Sequence, residues 1–96
     1  MVALMISTIT VKNEAKLGEY LPKVSQLGAR YGAELVFRGP AQGTITGALD
    51  HQMSVIVRFP SVAEIDALFA SNDYKELISL REEAADMTIV KYEQSA

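Results

Sequence analysis

Ninety-six residues fit one domain with a modest core, since a chain of this length buries only about two-thirds of its unfolded surface. A net charge of −3, a pI of about 5.0 and the lack of any basic run argue against a phosphate backbone as partner, so no nucleic acid is expected. Without cysteine there are no disulfides, thiolate metal sites or thiol nucleophiles. No apolar run approaches the ~18 residues of a membrane helix, and the opening MVALMISTIT lacks a basic n-region. The expectation is a soluble, cytoplasmic protein. Yet 49% of the residues are hydrophobic and mean hydropathy is +0.12, which is high for so small a soluble chain. Excess apolar surface marks an interface, and a second copy of the chain is expected to cover it.

The first strand is predicted over Ala3–Val11, with Ala3, Met5, Ser7, Ile9 and Val11 on one face and Leu4, Ile6, Thr8 and Thr10 on the other. Asn13 or the residues just after it open a helix in which Leu17, Leu21, Val24, Leu27, Gly28 and Tyr31 recur at helical spacing. Pro22 inside it predicts a kink or a new first turn, and Gly32 a C-terminal stop. Residues 33–38 read as the second strand, Leu35 and Phe37 facing one way and Val36 the other. A turn cluster from Gly39 to Gly43 follows, then Thr44-Ile45-Thr46 as a short strand or arm. Residues 52–59 form the third strand, apolar on both faces.

Ser61-Val62-Ala63-Glu64 has the spacing of a capping box and opens the second helix, which turns Val62, Ile65, Leu68 and Phe69 inward. Ser71-Asn72-Asp73 ends it and caps a further helix over residues 73–85, and residues 87–93 make the last strand. The order β, α, β, β, α, β predicts a ferredoxin-like α+β fold: an antiparallel sheet with helices on one face. The other face of such a sheet is wet in a monomer, but strands one and three are apolar on both sides. A second sheet packed there gives a two-fold homodimer.

Residues 32–39, Gly-Ala-Glu-Leu-Val-Phe-Arg-Gly, resemble the second-strand signature of domain-of-unknown-function family 1330. So do Phe59-Pro60-Ser61, residues 67–74 (Ala-Leu-Phe-Ala-Ser-Asn-Asp-Tyr) and Leu80-Arg81. The departures are Gly32-Ala33 for the family's frequent Gly-Gly, Leu68-Phe69 for Trp-Tyr, and Ser71-Asn72-Asp73-Tyr74 for Ser-Pro-Glu-Tyr. The resemblance implies a dimeric α/β barrel, in which two ferredoxin-like sheets face each other. Its wider superfamily includes cofactor-independent monooxygenases, haem-handling proteins, isomerases and non-catalytic proteins.

Arg81 falls near the middle of the inward stripe Tyr74, Leu77, Ile78, Ala84 and Ala85. A guanidinium on an apolar face needs a partner, so Arg81 reads either as a structural ion pair or as a clamp on an anionic ligand. Arg38 beside its glycine turn, and Arg58, read as strand-end charges or interface partners; Arg38 is also a candidate ligand contact. Tyr74 and Tyr31 are candidates to orient a ligand through their hydroxyls, as are Tyr20 and Tyr92, against the commoner use in packing. His51, the sole histidine, reads first as an exposed loop residue, with a general base or an axial haem ligand as the alternatives; Asp50 beside it points to the opposite face. Nothing has zinc spacing or the form of a phosphate loop, and no metal or cofactor is expected.

These residues support three readings. The first is a dimer that binds a small organic or anionic molecule between sheet and helices. The second is a cofactor-independent oxygenase or isomerase acting on an aromatic substrate, and the third a purely structural dimerisation module.

Overall fold

The computed structural model describes residues 2–95. The elements run β1 (Ala3–Val11), α1 (Glu14–Ala29), β2 (Glu34–Pro40), β3 (Met53–Phe59), α2 (Val62–Ala70), α3 (Asn72–Lys75), α4 (Ile78–Ala84) and β4 (Ala85–Glu93). The strands form one antiparallel sheet in the order β2-β3-β1-β4. This is the ferredoxin-like α+β arrangement expected from the order of elements.

Alternation in β1 decides which face the helices cover. Ala3, Met5, Ser7 and Ile9 are buried, while Leu4, Ile6, Thr8 and Thr10 are half-buried on the other side. The helices seal the odd face with Leu17, Tyr20 and Leu27 from α1, Ile65 and Leu68 from α2, and Tyr74 from α3. The Asn13 side chain caps α1 by accepting from the Lys16 amide at 3.0 Å. Lys12 and Asn13 both donate to the Ala84 carbonyl at 2.9 Å, which ties the end of β1 to the end of α4. The helix runs unbroken across Pro22. Gly32, at φ +81°, reverses the chain into β2.

Several expectations change. A β-bulge at Val36 breaks the register of β2, so Leu35 pairs with Val57 while Phe37 pairs with Ile56. Leu35 and Phe37 therefore point to opposite faces instead of sharing one. Residues 44–46 form neither strand nor arm; they lie in an exposed loop in which Ile45 is fully solvated. Ser61 takes the N-cap position, but its side chain makes no capping bond. The capping bond is made at Ser71, whose hydroxyl accepts from the Tyr74 amide at 3.2 Å and donates to the Leu68 carbonyl at 2.6 Å. The helix expected over 73–85 is two, α3 and α4, separated at Glu76-Leu77, and β4 begins directly at Ala85. That break turns Ile78 out to solvent and brings Leu80 against the core instead. No helix among the described residues is long and apolar enough to cross a membrane.

Candidate functional site: a cleft between sheet and helices

Between the odd face of the sheet and α1 and α2 lies a cleft of about 140 Å³. Met5, Ser7 and Ile9 from β1 form its floor with Val55, Val57 and Phe59 from β3. Tyr20 and Val24 from α1 and Leu68 and Phe69 from α2 form its roof. An apolar cavity of about 150 Å³ holds a benzene ring, so this one takes a single ring or a short acyl chain and not a polycycle. The wall carries little polarity. Ser7 is the buried polar residue on the floor, at 6% exposure, and Tyr20 and Ser25 of α1 line the cleft as well.

Arg38 supplies the charge. Pairing opposite Val55 places it on the cleft side of β2, where it lines the cavity from an exposed position. This depends on the bulge. Without the extra residue at Val36, Arg38 would fall opposite Ser54 and face away. Among the described residues, Arg30 pairs with Asp73, Arg58 with Glu34 and Arg81 with Glu82, which leaves Arg38 as the arginine in no ion pair.

Arg81 borders a second, more open recess of about 300 Å³, alongside Asp66 and Lys91. Met5, Phe69 and Ile89 form a wall common to both cavities. The Arg81 guanidinium donates to the Tyr74 hydroxyl at 2.9 Å and to Glu82 at 2.8 Å, and lies 5.8 Å from the centre of the Tyr74 ring. Burial pulls its pKa down, but the bonds to Glu82 and Tyr74 outweigh that and the net shift is upward. Arg81 is thus held by Glu82 and Tyr74 at the edge of this recess.

Tyr74, 1% exposed, lines neither cavity; its hydroxyl stands between Arg81 and the Tyr20 hydroxyl, which is 3.0 Å away. Burial, then the neighbouring Tyr74, pushes the Tyr20 hydroxyl well above the usual phenol range, against an opposing pull from Arg81. Tyr31 is half-buried against the core and lines neither cavity. Arg58 pairs within its own chain, with Glu34 at 2.9 Å.

His51 sits on the other side of the sheet. Its Nδ1 is 2.8 Å from Thr10 Oγ1 and its Nε2 is 3.2 Å from Thr88 Oγ1, both hydroxyls of the even face. It shares no lining with the cleft. Among the described residues no group of three or more His, Asp or Glu is placed to hold a metal. Sequence reasoning did not single out Ser7 or place Tyr20 beside it. The available signals were a lone hydroxyl in the apolar stripe of β1 and a tyrosine on the inward stripe of α1.

A four-stranded antiparallel sheet with helices on one face and an apolar cleft between the layers defines a ferredoxin-like protein of the type found in dimeric α/β barrels. The chain belongs to the domain of unknown function family DUF1330, whose profile matches residues 2–94. No curated protein matches the sequence.

Solved structures share the fold. A protein of unknown function from Rhodopseudomonas palustris superposes with a TM-score of 0.82 at 17% identity, covering 99% of this chain and 83% of its own. The cofactor-independent oxygenase SnoaB from Streptomyces nogalater gives 0.72 at 9% identity, over 99% of this chain and 94% of that one. A dimeric ferredoxin-like protein of unknown function from Jannaschia sp. CCS1 gives 0.71 at 12% identity, over 98% and 100%. Identities this low establish the fold alone.

Proposed function

We propose that this protein is a homodimer that binds a small organic anion in the cleft, one ring or a short acyl chain seated on the apolar floor and a carboxylate at Arg38. The observation that carries this reading is Arg38 itself: an arginine outside every ion pair of the described residues, turned toward an apolar cavity by a bulge. Charge-assisted pairing of a carboxylate with arginine is among the stronger hydrogen bonds, and a planar fork suits it. Arg81 stands behind the common wall as a second cation in the same region of the molecule.

Titration with benzoate, followed by amide chemical shifts, tests the reading. Saturable shifts at Ser7, Val55 and Phe69 are expected, with affinity falling about tenfold or more in Arg38→Ala. No binding at millimolar benzoate would favour the structural dimerisation module.

A second reading draws on Ser7, Tyr20 and Ser25, hydroxyl-bearing residues that line the cleft. These are groups that can hold an enolate-like oxyanion for a cofactor-independent oxygenase or isomerase. The volume limits its substrate to one aromatic ring. Oxygen uptake on incubation with single-ring phenols would support the oxygenase, and its absence across such a panel would remove that activity.

A further inference from the structure

Strand register places one row of side chains straight across the floor of the cleft. Arg38 pairs with Val55, Val55 with Ser7 and Ser7 with Ile89, so the row runs from β2 at one edge of the sheet to β4 at the other. All four residues line the cleft. A carboxylate held at Arg38 therefore lays its apolar body over Val55 and Ser7, and the far end of that body meets Ile89. Ile89 is one of three residues, with Met5 and Phe69, that line both the cleft and the recess beside Arg81. They form the partition between cavities of about 140 and 300 Å³.

The three differ in how firmly they stand. Met5 is unbranched and yields easily. Ile89 lies on the sheet, at the end of the row. Phe69 comes from α2, and its ring is held edge-on against Tyr74, with centroids 4.5 Å apart and planes at 70°. Tyr74 is itself fixed: it is 1% exposed, and its hydroxyl lies 2.9 Å from Arg81 Nη1 and 3.0 Å from the Tyr20 hydroxyl. We infer that Phe69 is the specificity-determining residue of the cleft. It closes the end opposite Arg38 and limits the ligand to a carboxylate on one ring, bare at the position opposite the carboxylate. The inference rests on the cleft being a binding site, as proposed above, and adds what sets the length of its ligand.

The test compares benzoate with biphenyl-4-carboxylate, which adds a second ring at that position. Wild-type protein is expected to bind benzoate more tightly by about tenfold or more, since extra atoms enter a packed wall only by displacing it. Phe69→Ala joins the cleft to the recess. Biphenyl-4-carboxylate should then gain about tenfold or more, while benzoate changes by less than about threefold. Ile89→Ala opens the same wall from the sheet and should give a gain in the same direction, which keeps the test decisive if Phe69→Ala does not fold. Val24 lines the cleft from α1 and does not line the recess, so Val24→Ala should leave the preference as in wild type. Equal binding of both acids by wild type, or an unchanged preference in a folded wall variant, overturns the inference and leaves the cleft a binding site. A gain in Val24→Ala as large as in Phe69→Ala does the same. If neither acid binds wild type or variants, the cleft reading falls and the inference with it.

Discussion

At the scale of single residues, two positions carry consequences that measurements of stability can reach. Gly32 adopts φ +81°, and a Cβ there would lie 2.8 Å from Pro60 Cγ. Gly32→Ala is therefore expected to cost about 1–3 kcal/mol through backbone strain and a displaced proline, read as a lowered urea midpoint. A loss below half a kcal/mol would mean that the turn readjusts freely. Tyr20 gives a pH signature. Its ordinary pKa is 10.0, and burial with Tyr74 nearby raises it in the folded state. Above pH 10 the unfolded chain gives up this proton while the folded chain keeps it, so stability is intact below pH 10 and declines as pH rises beyond it. The decline attributable to Tyr20 should approach about 1.4 kcal/mol per pH unit and be missing in Tyr20→Phe. Equal slopes in the two proteins would show that Tyr20 ionises without hindrance.

At the scale of elements, the two serines that begin helices make a controlled pair. Ser61 belongs to the sharper sequence motif, yet its hydroxyl does not cap α2. Ser71 has no such motif, yet its hydroxyl both caps α3 and holds the last turn of α2. Ser71→Ala is expected to cost about 1 kcal/mol, and Ser61→Ala to stay within about half of that, by chemical denaturation. The reverse ranking would contradict the observed hydrogen bonds.

The same contrast marks how far the sequence could be read. Period-two alternation in β1 and the helical stripe of α1 are local patterns with strong physical signatures, and they gave the fold. The bulge at Val36 is different. It is set by pairing with β3, some twenty residues away in sequence, and strict alternation put Leu35 and Phe37 on one face, which the bulge undoes. The break at Glu76-Leu77 likewise moved Ile78 off the inward stripe, while Arg81 kept a place at a recess through contacts with Tyr74 and Glu82. The cleft itself is made by side chains from six elements, and no local pattern reports such convergence.

At the scale of the whole molecule, the helices cover one face of the sheet and leave Leu4, Ile6, Phe37, Ile56, Val90 and Tyr92 on the other. Phe37 and Tyr92 are each about half exposed, at 48% and 49%. The protein is a slab measuring 36 × 32 × 16 Å, a single sheet with helices on one side. Ile56→Lys places a charge at the centre of that face between Ile6 and Phe37. It is expected to shift the protein from dimer to monomer in sedimentation at micromolar concentration, with α1 and its cleft intact. A wild-type protein that sediments as a monomer under the same conditions would rule out this face as the interface.

The strand order has one further effect, on synthesis. β1 lies inside the sheet and pairs on one edge with β3 and on the other with β4, where Val11 meets Ala85 and Ala3 meets Glu93. A nascent chain still lacking β4 holds β1 with an open edge, whose Met5 and Ile9 side chains have only part of their cover. Folding on the ribosome therefore waits for the last strand to clear the exit tunnel, and until then the growing chain is the form most open to chaperones and to wrong partners.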